Sequence, residues 1–473
     1  MESYRIYSAL CYIGLFFMIY SILASVLLGL GFFWGELYLL KPIILPTAIL
    51  LVAGLVLFFG LRRWLAVEMS ISSAMRIIAI AWLILPILST IPFMAAGHLD
   101  FLSALFETMS GYTTTGLSMY ADVESLPKSI LFWRSLNQWI GGIGILALFL
   151  TVLSRRSPVL KRLYVAEGRS DTVNFDVVRT SRALWAFYAF VTALCGVLLW
   201  ETGMPLFDSV NHAMTALATG GFSIKNASIG YYDNLWSEIV LMVFLMIGAT
   251  NFVYMISLIG AVRKRNLKKV GFNVELEGLL TILFTAVVIM VLIGKAGLRE
   301  AAFQAVSAVS NCGFQTRDLR GWSDFNKVML SALMIAGGSS GSTAGAVKTF
   351  RVEIFFLSIY WYFRKLVLPK DAVVIQRYGK RNTSDEEVIH VIQYITFYVL
   401  CLFAGALVLT SYGNAFVDSF FEVASAIGNT GLTVGITALG MPVVEKIVLI
   451  IEMWIGRVEI FPVLMLFFFR IRK

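Results

Sequence analysis

Charge is scarce in this chain of 473 residues: Asp, Glu, Lys and Arg together make up 14% of it, and histidine occurs only three times. Cysteine is rarer than its length would allow. The four residues Cys11, Cys195, Cys312 and Cys401 lie far apart without paired spacing, which excludes a disulfide framework or a zinc site built on them. His98, His212 and His390 are equally dispersed and read as packed or interfacial side chains. H-E-x-x-H does not occur, so the zinc motif a membrane-embedded metallohydrolase would use is missing. Apolar residues supply what is abundant. They form 59% of the chain, its mean hydropathy is +0.82, and that is the profile of a polytopic membrane protein.

Apolar stretches of spanning length begin near Ile6, Pro42, Met75, Leu131, Ala183, Leu235, Leu279, Val328, Val391 and Ile447, which predicts ten spans. The first has weak positive flanking and no clear small-residue cleavage site, so it reads as a retained helix. Basic residues concentrate in alternate connections: Arg62, Arg63 and Arg76; Arg155 to Arg182; Arg263 to Lys269; Arg364 to Arg381; and the tail Arg470, Arg472, Lys473. By the positive-inside rule both termini are cytoplasmic. The net charge of +9 is accounted for by these connections, which could meet anionic lipid or a cytoplasmic partner, and it calls for no nucleic acid.

One pattern occurs four times. E-T-M-S-G-Y-T-T-T-G-L-S, H-A-M-T-A-L-A-T-G-G-F-S, Q-A-V-S-A-V-S-N-C-G-F-Q and E-V-A-S-A-I-G-N-T-G-L-T carry Gly116, Gly221, Gly313 and Gly431, at intervals of 105, 92 and 118 residues. Thirteen residues before each glycine stand Ser103, Asp208, Glu300 and Asp418, suited to the start of a helix. Each unit therefore reads as a capped helix of two to three turns that breaks just before its glycine. Such a segment can only enter the bilayer and come back out.

The fold class that follows is all-α: a two-helix prefix over residues 1–66, then four helix–pore-loop–helix repeats over 67–165, 166–266, 267–368 and 369–473 around one central pore. Glycine tolerates positive φ, which lets carbonyls of consecutive residues turn one way, as a dehydrated cation requires. The candidate cation ligands are Thr114, Thr115 and Gly116; Thr219, Gly220 and Gly221; Asn311, Cys312 and Gly313; Asn429, Thr430 and Gly431. The negative end of each short helix would favour a cation at the same place.

The outgoing segments also align. Gly141, Gly338 and Gly456 lie twenty-five residues past the repeat glycines, with Gly248 shifted by two, and Arg457 replaces the Gly142 of the first copy. A mid-membrane arginine is costly and reads as pore-facing. In the third copy the apolar segment from Val328 to Phe363 is too long for one span and is interrupted by G-G-S-S-G-S-T-A-G, Gly337 to Gly345. Here a flexible, unwound gate is expected, with Gly337, Gly338, Gly341, Gly345, Lys348, Arg351 and Arg457 as its residues. A phosphate-binding loop is excluded, because no glycine directly precedes Lys348 and no strand precedes the run.

These loops, together with F-W-R-S-L-N-Q-W-I-G-G-I-G (Phe132 to Gly144), the Gly/Ser run and I-G-R-V-E-I-F-P (Ile455 to Pro462), resemble the bacterial Trk/Ktr potassium-transport superfamily over nearly the whole chain. The two-helix prefix makes the chain more similar to the TrkH/TrkG branch. The resemblance implies a potassium-translocating subunit of the bacterial inner membrane, with potassium as cargo and no organic cofactor. It also implies a homodimer with one pore per protomer and a cytoplasmic, nucleotide-binding TrkA-like ring. It assigns the four glycines to a selectivity filter, and the Gly337–Gly345 loop and Arg457 to the constriction beneath. The alternative is a proton- or sodium-coupled symporter, whose candidate ionisable groups are Glu107 and Glu422, with His212 and Gln304 at the matching positions.

Overall fold

The computed structural model describes residues 2–64, 71–96, 99–144, 177–264, 273–369, 374–379 and 381–467. The chain opens with α1 (Glu2–Phe33) and α2 (Leu37–Leu61), which pair as a hairpin. Their backbones approach where Gly14 meets Gly54: a Cβ on Gly54 would stand 2.7 Å from the Gly14 carbonyl oxygen. Small residues permit this close packing, which drives helix pairing where lipid supplies no hydrophobic force between helices.

The repeats follow in order. The first comprises α3 (Ile71–Ala95), α4 (Phe101–Tyr112) and α5 (Lys128–Ile143). In the second, α6 (Val177–Glu201) and α7 (Leu206–Leu217) lead to α8 (Leu235–Gly248) and α9 (Phe252–Arg263). The third has α10 (Val274–Leu292), α11 (Leu298–Val309), α12 (Asp324–Ala336) and α13 (Thr349–Val367). The fourth has α14 (Asp385–Ser411), α15 (Phe416–Ile427), α16 (Val443–Val458) and α17 (Ile460–Phe467). Two short antiparallel strands, Arg377–Tyr378 and Arg381–Asn382, precede α14.

Among the described residues, α1, α2, α3, α6, α10 and α14 contain spans long and apolar enough to cross a membrane, and α8 with α9 passes only as a pair bent by 106°. That revises the expectation that the third outgoing segment alone is interrupted. α8, α12 and α16 have 14, 13 and 16 residues, and each is followed by a break before its second part. α5, also 16 residues, ends on Gly144 with φ +91°. The local causes differ: Gly144, Gly337 and Glu459 have positive φ, whereas α8 ends at Gly248 with Ala249 as its C-cap, and α9 starts under an Asn251 side-chain cap. Most of the basic residues that set the expected orientation, including Arg155, Arg156, Lys161, Arg162, Lys268, Lys269, Lys380 and Arg470, lie outside the described residues.

The repeats close into a ring. α5 packs on α7, α8 on α11, α12 on α15, and α16 returns to α4. The short helices are buried at the centre, while large apolar side chains such as Phe284 and Leu292 point outward, 72% and 74% exposed. A lipid solvent reverses the usual placement in this way. The prefix joins the ring through Glu36, whose carboxylate accepts from the backbone N–H groups of Lys128 (2.8 Å) and Ser129 (3.1 Å) at the positive end of α5.

Candidate functional site

Each short helix has twelve residues and ends four residues before its glycine. Ser103, Asp208, Glu300 and Asp418 are not the N-caps expected of them. Asp100, Pro205, Gly297 and Ala415 hold that position, and the four residues fall third in the helix. An acid there still faces the positive end of the helix, so the sequence signal reflected real electrostatics one turn displaced.

The helix ends are alike in detail. Thr114, Thr219, Asn311 and Asn429 all have φ between +50° and +56°. In each, the residue's own N–H bonds to a carbonyl three back, and the next N–H to one five back. In the first copy these are Thr114 N to Gly111 O (3.0 Å) and Thr115 N to Ser110 O (2.9 Å); in the fourth, Asn429 N to Ala426 O (3.1 Å) and Thr430 N to Ser425 O (2.8 Å). This double bond pattern is the Schellman helix stop, here with Thr or Asn in place of the usual glycine. Asn adopts left-handed geometry readily; a β-branched Thr does so at a cost of about 1–3 kcal/mol.

Glycine is required two residues later, at φ +97°, +71°, +87° and +92°. A Cβ on Gly116 would be driven into the carbonyl oxygen of Gly220, one on Gly221 into that of Cys312, one on Gly313 into that of Thr430, and one on Gly431 into that of Thr115. Every repeat glycine thus abuts the preceding-residue carbonyl of the next repeat, and the fourth returns to the first. The four glycines and the residues before them, eight of the twelve candidate ligand positions, come together in one closed, unidirectional ring. Cys312 takes part through its carbonyl, which faces Gly221.

Side chains hold the seams between repeats, and the seams on either side of the fourth repeat use the same bond. Gln138 donates to the Gly220 carbonyl and accepts from Phe222 N (3.0 Å). Asn311 Nδ2 donates to Thr430 Oγ1 (3.0 Å) and to the Met334 carbonyl (2.9 Å); Asn429 Nδ2 donates to Thr115 Oγ1 (3.1 Å) and to the Met453 carbonyl (2.8 Å). The Asn-for-Thr departure in the last two repeats therefore has a function: amide side chains reach both the next loop and the outgoing helix.

Glu107, His212, Gln304 and Glu422 lie behind the ring. Glu107 is fully buried, paired with Arg134 at 2.8 Å, and accepts from Ser118 Oγ and Met119 N. Arg134 also donates to the Ser223 carbonyl (2.8 Å) and stacks over Phe222, binding the first repeat to the second. Glu422 accepts from Thr433 Oγ1, Val434 N and Thr437 N. His212 reaches Ser223 Oγ, and Gln304 reaches Thr316 Oγ1. All four tie the segment leaving the ring back to its helix.

Beyond the helix ends lies the Gly337–Lys348 segment. It is unwound, as expected, but tethered and not loose. Thr343 Oγ1 donates to the carbonyls of Leu217 and Gly248, both at 3.0 Å, and Thr343 N to Gly248 O (3.1 Å). Ser339 N donates to Ala249 O (2.8 Å), and a Cβ on Gly338 would stand 2.7 Å from the same oxygen. Gly345 presses against the Gly428 carbonyl, 2.7 Å from a Cβ, where α15 ends. Arg457 donates to the Thr343 carbonyl (2.7 Å) and to the carbonyls of Gly141 and Gly142 (2.8 Å to the latter). The loop and Arg457 together touch all four repeats just past the ring, beside a polar cavity that Trp82 and Glu459 help to line. Lys348 and Arg351 both bond the carboxylate of Glu459, at 2.8 and 2.9 Å, and Arg351 lies over the Tyr394 ring. Sequence reasoning assigned no role to Glu459, Thr343, Gln138 or Arg134, although each lies within one of the runs singled out above, because nothing in those runs says which polar side chain meets a partner from another repeat.

The architecture is that of a mostly helical membrane protein whose four short helices and their loops close into one ring, and the sequence comparisons agree with a membrane transport protein. The family described as "TrkH: Cation transport protein" matches residues 41–299 and 293–471, and the chain belongs to that family. It is a transporter and not an enzyme. An uncharacterized cation transporter of Methanocaldococcus jannaschii is 33% identical over 82% of this chain and 81% of its own length. The Trk system potassium uptake protein TrkH of Salmonella typhimurium is 30% identical over 88% of this chain and 89% of that protein. The crystal structure of the potassium transporter TrkH from Vibrio parahaemolyticus superposes with a TM-score of 0.85 at 26% identity, covering 98% of this chain and all of that one.

Proposed function

We propose that the chain moves potassium across the plasma membrane through the ring of glycine loops, with the Gly337–Gly345 segment as its gate. The observation that carries this reading is the closed circuit of glycine-on-carbonyl contacts from Gly116 round to Thr115. Such a ring offers backbone oxygens from four sides and admits no side chain at the glycine positions, the requirement for replacing a cation's hydration shell. Four helix C-terminal ends directed to the same place add negative potential. That relatives are named for potassium uptake supports potassium as the cargo.

The gate reading rests on the loop's place past the ring, where it and Arg457 together reach every repeat. An arginine there places a positive charge on the path a cation would take. The family relationship extends the proposal to a homodimer in a bacterial inner membrane, termini cytoplasmic, controlled by a nucleotide-binding TrkA-like partner. Coupled symport is disfavoured, because Glu107 and Glu422 are engaged behind the ring. The deciding experiment is flux into liposomes holding only the purified chain, driven by a potassium gradient, with sodium as competitor and internal pH recorded. Potassium uptake without proton movement supports the pore; uptake that needs a proton or sodium gradient overturns it.

A further inference from the structure

Two residues outside the proposed filter and gate grip the gate loop at its tip. Glu275, in the first turn of α10, accepts from both the backbone N–H of Ser340 (3.0 Å) and its Oγ (2.7 Å). Asn251, at the break between α8 and α9, donates from Nδ2 to the Ser340 carbonyl (2.8 Å), while its Oδ1 caps α9 by accepting from Tyr254 N (3.1 Å). Phe252 N reaches the Gly341 carbonyl at 3.4 Å, and Gly341 has φ +71° where a Cβ would stand 2.9 Å from Asn251 Nδ2.

The seat beneath this tip is itself made by a helix break. Ending α8 at Gly248 leaves its last carbonyls without helical partners. Loop residues Thr343 and Ser339 supply the donors that Gly248 and Ala249 lack. The loop therefore completes the hydrogen bonding of a neighbouring repeat, and only water could replace it if it left.

We infer that Glu275 and Asn251 form a latch that holds the gate loop closed, acting as positioning residues from two elements, the start of α10 and the bend of α8–α9. This deepens the gate reading proposed above and rests on it. Bonds to an ionised carboxylate are stronger than neutral ones, so Glu275 carries the larger share of the hold. Both residues act on the loop, and neither touches the glycine ring. Releasing them shifts the closed–open balance and leaves ion preference alone.

The test uses the purified full-length chain in liposomes, with potassium flux and the potassium-to-sodium ratio measured together. Glu275→Ala is expected to raise basal flux by at least about tenfold, from the loss of two bonds to a charged acceptor. Asn251→Ala should raise it by less, and Glu275→Gln, which keeps an acceptor of the same length, should retain part of the hold. The ion ratio stays constant in all three. In a Ser340→Ala background, the effect of Glu275→Ala should shrink, since one of its two bonds is already gone. Full epistasis is expected on deletion of Gly337–Gly345, where Glu275→Ala should add nothing. If the deletion raises flux but Glu275→Ala and Asn251→Ala do not, the latch is wrong and the gate stands. If the deletion itself changes nothing, the gate reading fails first. A change in ion ratio would place Glu275 in the filter's support and overturn the latch equally.

Discussion

Asn429 Nδ2 donates to Thr115 Oγ1 at 3.1 Å, in the same seam where Gly431 lies against the Thr115 carbonyl oxygen. The last repeat is thereby joined to the first, and a linear chain becomes a closed ring. A ring that closes this tightly transmits a small change at one loop to the others, because no repeat can shift without opening a seam. The following outcomes are expected from that geometry.

Gly313→Ser should reduce discrimination between potassium and sodium. Its Cβ would be forced into the Thr430 carbonyl oxygen, and the residue would hold φ +87° without glycine's freedom. Either Thr430 or the loop must move, re-aiming the carbonyls. Reversal potentials under mixed-ion gradients measure this, and an unaltered preference would refute the assignment.

Asn429→Ala should weaken the same discrimination without abolishing transport. The change removes the bonds to Thr115 Oγ1 and the Met453 carbonyl and places alanine at φ +52°. The loss should be about 1–3 kcal/mol in thermal stability, read by the temperature at which the detergent-solubilised protein aggregates. Asn311→Ala should behave alike, since it bridges the next seam.

Arg457→Gln should change the rate of flux and leave ion preference intact. The guanidinium joins the loop at Thr343 to Gly141 and Gly142 of the first repeat, past the ring and not within it. Paired rate and selectivity measurements decide the matter; a shifted preference would put the arginine in the filter.

Arg134→Met should sharply lower stability, by about 3–5 kcal/mol, because the Glu107 carboxylate would remain buried with no cation beside it. The double substitution Glu107→Gln with Arg134→Met should recover much of the loss. Recovery in the thermal assay separates the ion pair from simple packing at that site.

If the ring is the filter proposed above, loops with one ring glycine each, Gly220 standing beside Gly221 in the second, would form a shorter filter than a G-Y-G run, with fewer stacked ion sites. Selectivity over sodium and rubidium should accordingly be weaker than in a filter of that longer kind. A strong potassium preference in reversal potentials would contradict the expectation.

Much of the fold could be read from the residues because its signals are short-range. An acid or hydroxyl in the first helical turn, a Thr or Asn that stops the helix and a glycine two residues later all lie within fourteen residues, four times over. The capping assignment slipped by three positions, since a hydroxyl or acid suits both the cap and the first turn. The helix breaks in the second and fourth repeats were missed because only the third shows a glycine-rich run. Glu459 interrupts its helix through a positive φ and Asn251 caps the restart of α9, and neither residue type announces such a break in the sequence.

Local chemistry therefore decided the four short helices, their stops and the need for glycine, since backbone dihedrals and helix electrostatics depend on neighbours a few residues away. Which carbonyl meets which glycine, and how Thr343, Arg457, Glu275 and Asn251 converge on one loop, was decided only by closure of the ring. Those contacts join segments from different repeats, so their partners exist only once the helices have packed.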